Sequence, residues 1–72
     1  MDFYAIGEQI FEDLTPLEVD HLQDEYDIAA AEQGWEQELT NDPEHFIKWL
    51  GELGELNVES ILVWRIPNWR GF

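Results

Sequence analysis

The stretch TPLEVDHLQDEYDIAAAEQGWEQEL, residues 15–39, decides the fold because it contains the longest predicted helix of the chain. Thr15 as N-cap, Pro16 at the first helical position and Glu18 three residues after the cap together predict a capping box. Residues 17–39 carry eight carboxylates and no lysine or arginine. Like charges at four-residue spacing destabilise a helix by roughly 0.2–0.5 kcal/mol per pair. This run of uncompensated acids therefore needs an explanation other than helix formation.

Upstream of this stretch the sequence predicts another helix. Phe3, Ile6, Ile10 and Leu14 recur at steps of three and four residues, which is typical of one apolar helix face. A short strand over residues 3–6 is the alternative.

Downstream, an aspartate–proline pair at residues 42–43 repeats the cap-plus-proline signal. It predicts a third helix over residues 43–53, closed by Gly54 as a left-handed cap. The preceding helix must then stop near Leu39, and Gly34 can end it earlier.

The tail from Val58 to Ile66 is rich in β-branched and bulky residues, and Pro67 follows it. This composition predicts a strand. A lone strand leaves its backbone groups unpaired, so we expect it to pair with an N-terminal strand or with the same strand of a second copy. The predicted fold is a mostly helical α+β single domain spanning residues 1–72, with about three helices and a C-terminal β-strand.

The composition limits the class of protein. The 72 residues include 44% hydrophobic residues and ten aromatics, too many for a disordered acidic chain. Without cysteine there is no disulfide or thiolate metal site. No apolar run approaches the roughly 18 residues of a membrane span, and no basic region marks a signal peptide. We expect a soluble cytoplasmic protein that does not bind membranes.

The net charge of −14 is divided unequally along the chain. Residues 1–47 hold 14 acids and no base, whereas residues 48–72 hold three of each. Self-repulsion on this scale opposes a compact state, and a net charge of about 2–8 in magnitude is enough for solubility. The asymmetry therefore favours recognition of a basic partner, with solubility as the alternative.

At 100° per residue, the longest predicted helix separates into faces. Its core stripe comprises Val19, Leu22, Tyr26, Ala29 and Ala30. The opposite face carries Asp20, Asp24, Asp27 and Glu38, and a column beside the stripe carries Glu18, Glu25, Glu32 and Glu36. Neighbouring acids stand about 5–6 Å apart, which is similar to the spacing of phosphates on a nucleic acid. We predict that these eight acids, with Glu12 and Asp13, form the partner-binding surface.

In its shortness, its acidity over residues 1–47 and its lack of an enzyme motif, the chain resembles small phage-encoded DNA-mimic inhibitors, among them anti-CRISPR and antirestriction proteins. This resemblance implies an inhibitor in the cytoplasm of a host cell. It would occupy the nucleic-acid-binding groove of a basic protein or complex, such as a CRISPR effector, restriction enzyme or nuclease, without binding nucleic acid itself. An antitoxin, an immunity protein or a phage assembly subunit is the alternative.

The remaining candidate chemistry is weak. His21 and His45 are too few for a zinc site without cysteine, so the sequence predicts no metal, no cofactor and no catalytic residue. The aromatic tail residues Trp64, Trp69 and Phe72 are candidates for self-association, because aromatic side chains are enriched among interface anchors. We therefore expect a homodimer formed through the C-terminal third.

Overall fold

The computed structural model describes residues 2–71, and every element of regular secondary structure in this part of the chain is a helix. The helices are α1 (Phe3–Glu12), α2 (Pro16–Gln33), α3 (Gln37–Thr40), α4 (Pro43–Leu53) and α5 (Glu55–Arg65). The described residues contain no strand, so the predicted α+β class is wrong.

Local sequence signals set the starts of α1 and α2. The Asp2 carboxylate accepts hydrogen bonds from the backbone N–H groups of Tyr4 at 3.1 Å and Ala5 at 3.2 Å. The Thr15 hydroxyl accepts from the Glu18 N–H at 3.3 Å, and the Glu18 carboxylate accepts from the Thr15 N–H at 2.6 Å. The capping box is therefore confirmed. The helical prediction for α1 is also confirmed, and the strand alternative is wrong.

Two glycines end helices. Gly34 adopts φ 70° and ψ 33°, the left-handed conformation in which glycine is favoured, and α2 stops at Gln33. The end near Leu39 is thus wrong and the earlier end is right. The predicted bounds of α4 are confirmed, but Gly54 has φ 82° and ψ 161°. It links α4 to α5 in a positive-φ conformation outside the left-handed helical region, so the predicted left-handed helical cap is wrong.

Residues predicted as the C-terminal strand form α5. Val58 and Leu62, four residues apart, are fully buried, whereas Trp64 is 82% exposed. A strand would place all three side chains on one face, so burial follows a helical period. The helix satisfies its own backbone groups and buries one face against α2 and α4. This tertiary burial outweighs the local preference of β-branched residues for strands.

The core lies between α1, α2, α4 and α5, with Tyr26 of α2 at its centre. Its fully buried ring lies 5.3 Å from the rings of both Phe46 and Trp49. Its hydroxyl lies 2.6 Å from His45 Nδ1 and donates to the Leu39 carbonyl at 3.2 Å. The buried hydrophobic cluster comprises Ile10, Leu22, Tyr26, Phe46, Leu50, Val58 and Leu62. The predicted core stripe of α2 is therefore confirmed at its central residues, Leu22 and Tyr26. Their burial also determines which side of α2 faces solvent.

Candidate partner-binding surface

The outer face of α2 presents three aspartates. Asp20, Asp24 and Asp27 are exposed, whereas Leu22 and Tyr26 on the opposite side are fully buried. At 1.5 Å per residue, the three aspartates extend over about 10 Å of the helix axis. We call these three residues the α2 aspartate row.

One base reaches this row from the far end of the chain. The Arg65 guanidinium lies 2.7 Å from the Glu25 carboxylate and 3.3 Å from that of Asp24. Its Nε also donates to His21 Nδ1 at 3.3 Å. The Asp24 side chain nevertheless stays 65% exposed, against 28% for Glu25 and 18% for Arg65. Glu25 therefore serves mainly to attach α5 to α2, whereas Asp24 still faces solvent.

Glu18 does not belong to the exposed surface. Only 6% of the residue is accessible, and its carboxylate accepts hydrogen bonds from the Thr15 N–H and from Nε1 of Trp69. Burial alone would raise the pKa of Glu18, but the Thr15 backbone, the Trp69 indole and the Thr15 hydroxyl outweigh it, so the pKa is lowered. The Glu18 carboxylate therefore forms contacts within the protein and connects the C-terminal tail to the start of α2.

The other predicted acids are exposed but are not one column on α2. Because α2 ends at Gln33, Glu36 lies in the turn before α3 and Glu38 lies in α3. The predicted alignment of these two residues with the α2 acids is therefore wrong. Five predicted acids are exposed and form no salt bridge with any described residue: Glu12, Asp13, Glu32, Glu36 and Glu38.

The acidic surface includes residues that sequence reasoning missed. The Glu8 carboxylate, followed by partial burial and by Glu44 and Asp42, raises the pKa of Tyr4. Burial, followed by Asp42 and then by Asp27, raises the pKa of Tyr26. Asp42 and Glu44, at the start of α4, also line one depression with Tyr4 of α1. We call Glu8, Glu44, Asp42 and the α2 aspartate row the acidic band. No local pattern could reveal it, because its members come from three separate segments.

The aromatic residues predicted for self-association have different environments. Trp64 is 82% exposed. On the same helix, Leu56 is 79% exposed and Val63 is 62% exposed. These three residues and Ser60 line one shallow depression, and we call them the α5 stripe. Trp69 is half-buried and packs against the core. Phe72 lies outside the described residues.

The two histidines are engaged in other contacts. His21 accepts from Arg65. His45 lies beside the Tyr26 hydroxyl and in a T-shaped arrangement with the Trp35 ring, with ring centroids 4.8 Å apart. Across residues 2–71, no three side chains among histidine, aspartate and glutamate are grouped as metal ligands.

Within the same range, no helix combines the length and the apolar character needed to cross a membrane. Neither a protein-family model, nor a curated protein, nor a solved structure matches this chain.

Proposed function

We propose that this protein is a non-catalytic inhibitor that imitates the charge of a nucleic acid and occupies the nucleic-acid-binding groove of a basic protein. Candidate targets are CRISPR effectors, restriction enzymes and nucleases. The proposed site of action is the cytoplasm, and the protein itself is expected not to bind DNA or RNA.

The observation that carries this proposal is the α2 aspartate row. Its three carboxylates lie on the outer side of a helix whose inner side is locked into the core by Leu22 and Tyr26. Of these three, only Asp24 touches a base among the described residues, and its side chain stays 65% exposed. A row held rigidly by core packing loses little conformational freedom on binding, and such preorganisation favours affinity.

The acidic band extends this charge beyond one helix. Glu8 of α1, together with Asp42 and Glu44 at the start of α4, adds exposed carboxylates from two further segments. Neighbouring carboxylates on a helix are about 5–6 Å apart, close to the phosphate spacing that a basic groove accepts. Binding is then steric and electrostatic: the groove is filled, and its lysines and arginines pair with carboxylates instead of phosphates.

The proposal is tested in two steps. Immobilised protein is first exposed to a nuclease-treated lysate, so that captured proteins are retained by direct contact, and these are eluted with increasing salt and identified. The captured protein is then bound to labelled DNA or RNA, and this protein is titrated into the complex. Release of the label supports the proposal. Direct binding of the free protein to DNA or RNA in a gel-shift assay contradicts it.

A second function is favoured by one different feature, the α5 stripe. Exposed apolar side chains at successive turns of a helix mark a protein-binding surface. On this reading the chain is an interaction module, such as an antitoxin, an immunity protein or a phage assembly subunit, and its charge maintains solubility. Neutralising the α2 aspartate row would then leave partner binding unchanged.

A further inference from the structure

The α5 stripe follows the outer side of α5 without a partner among the described residues. Leu56, Ser60 and Trp64 are spaced four residues apart, with Val63 beside them. By helix geometry the four side chains fall within an arc of about 100°, on the side of α5 opposite the buried Val58 and Leu62. Exposure of 79% at Leu56 and 82% at Trp64 places two large apolar groups on either side of the small Ser60. This ridge with a central gap fits the side chains of another helix.

Charge decides between two possible occupants of the α5 stripe, which are the α5 helix of a second copy and a basic helix of another protein. In an antiparallel pair of α5 helices centred on Ser60, Glu59 would lie on the same side as its symmetry mate, where like charges repel. Each copy would also bring a net charge of −14. A basic helix meets neither obstacle, because Glu59 lines the same depression as the stripe and is available to pair with a lysine or arginine.

We infer that the α5 stripe binds a basic amphipathic helix of the target protein. The apolar face of that helix covers Leu56, Val63 and Trp64, and its cations contact Glu59. This is the helix-on-apolar-surface mode of recognition, in which anchors recur at helical spacing. The choice of a basic occupant rests on the proposed function. The stripe gives the inhibitor a second contact, which adds shape and apolar complementarity to the charge of the acidic band.

The test uses a synthetic amphipathic peptide of leucine and lysine, about 18 residues or five helical turns long. A scrambled peptide of identical composition, without an apolar face, is the reference. We expect the protein to bind the amphipathic peptide about tenfold more tightly, a difference of about 1.4 kcal/mol. In amide chemical-shift mapping, the largest changes specific to this peptide should fall in residues 56–64. Equal affinity for the two peptides overturns the inference.

Variants distinguish binding at the α5 stripe from nonspecific binding to exposed apolar side chains. Replacing Leu56, Val63 and Trp64 with glutamine should abolish the preference and leave the helix content unchanged, because these side chains are exposed. The matched control replaces Leu17 and Ile28, which are 57% and 50% exposed on α2, and should keep the preference. A stripe variant that keeps it overturns the inference. A wild-type dimer in sedimentation equilibrium that the stripe variant lacks also overturns it, because a second copy would then cover the stripe.

This test is independent of the α2 aspartate row, which every variant in it retains. If the stripe prefers the amphipathic peptide but the aspartate row proves irrelevant to displacement of nucleic acid, the proposed function fails and the helix-binding stripe stands. If displacement depends on the row but the peptide preference is absent, the inference fails alone.

Discussion

Gly7 of α1 and Gly51 of α4 meet where the two helices cross, and neither position has room for a side chain. A Cβ atom on Gly7 would lie 1.8 Å from the Ile47 carbonyl oxygen, and one on Gly51 would lie 1.7 Å from the Phe3 carbonyl oxygen. Because the obstructing atoms belong to the backbone, a rotamer change cannot relieve the clash. The pair of glycines therefore sets the close packing of α1 on α4, in which Tyr4 of α1 lines one depression with Asp42 and Glu44 at the start of α4.

Replacing either Gly7 or Gly51 with alanine should destabilise the protein. The higher helix propensity of alanine favours folding by about 1 kcal/mol, but overpacking typically costs about 1–3 kcal/mol and more when the backbone must move. We expect a net loss of about 2 kcal/mol in urea unfolding. Ser60→Ala, on an exposed helix face, is the control and should unfold at nearly the wild-type urea concentration. Glycine variants as stable as wild type would show that α1 does not cross α4 this closely.

The Glu18 carboxylate should contribute stability that depends on pH. Its pKa is lowered in the folded protein, so its contribution is fully present above the unfolded value of about 4.3 and is lost as the pH falls through the lower folded value. Glu18→Gln places an amide N–H₂ against one of the two N–H donors, which should cost about 1–3 kcal/mol at neutral pH. The difference in unfolding free energy between wild type and variant should shrink below about pH 4. Glu32→Gln, at an exposed position, is the control and should unfold with nearly the wild-type free energy at neutral pH. A difference that is constant with pH would contradict the proposed role of Glu18.

Substitutions at Arg65 and Lys48 distinguish the stability that comes from specific ion pairs from the effect of net charge. Arg65→Gln and Lys48→Gln remove the same charge, but only Arg65 pairs with Glu25 and Asp24. Because the pair is partly buried and belongs to a network, we expect Arg65→Gln to cost about 1 kcal/mol more than Lys48→Gln in chemical unfolding. Equal losses would mean that the ion pairs between α5 and α2 contribute no specific stability.

Added salt should stabilise this protein, because it screens repulsion within a chain of net charge −14. Raising NaCl from about 20 mM to about 500 mM shortens the Debye length from about 20 Å to about 4 Å. We expect the Tm to rise by about 4–8 °C, equivalent to about 1 kcal/mol for a domain of this size. Asp20→Asn combined with Asp27→Asn should show a smaller rise. A Tm that is unchanged or lower at high salt would contradict the view that the exposed acids oppose folding.

Local signals allowed part of this fold to be predicted. The Thr15 capping box and the start of α4 depend on residues within one turn, and both predictions are confirmed. The strand prediction failed because the β-branched residues of α5 follow their tertiary environment: Val58 and Leu62 are buried at a helical spacing that local preference does not determine. For the candidate site, the helical wheel correctly predicted that Asp20, Asp24 and Asp27 are exposed.

The helical wheel could not predict which acidic side chains form contacts within the protein. Glu25 pairs with Arg65, 40 residues later, and Glu18 accepts from Trp69, 51 residues later. Contacts at such separations depend on how α5 packs on α2, and the predicted strand would have directed both partners elsewhere. Asp42 was recognised as a helix cap, but its place beside Tyr4 depends on the crossing of α1 and α4.

The central claim is that the α2 aspartate row competes with nucleic acid, and one competition measurement tests it most directly. A captured basic protein is bound to fluorescent DNA or RNA, and the concentration that displaces half of the label is measured for three forms of this protein. These are the wild type, Asp20→Asn combined with Asp27→Asn, and the control Glu52→Gln combined with Glu55→Gln. Both variants carry two fewer negative charges, −12 instead of −14, so net charge is matched. We predict that the aspartate variant needs about tenfold more protein, equivalent to about 1.4 kcal/mol, and that the control stays close to wild type. Equal displacement by all three forms, or an equal loss in both variants, would contradict the claim that this row is the nucleic-acid mimic.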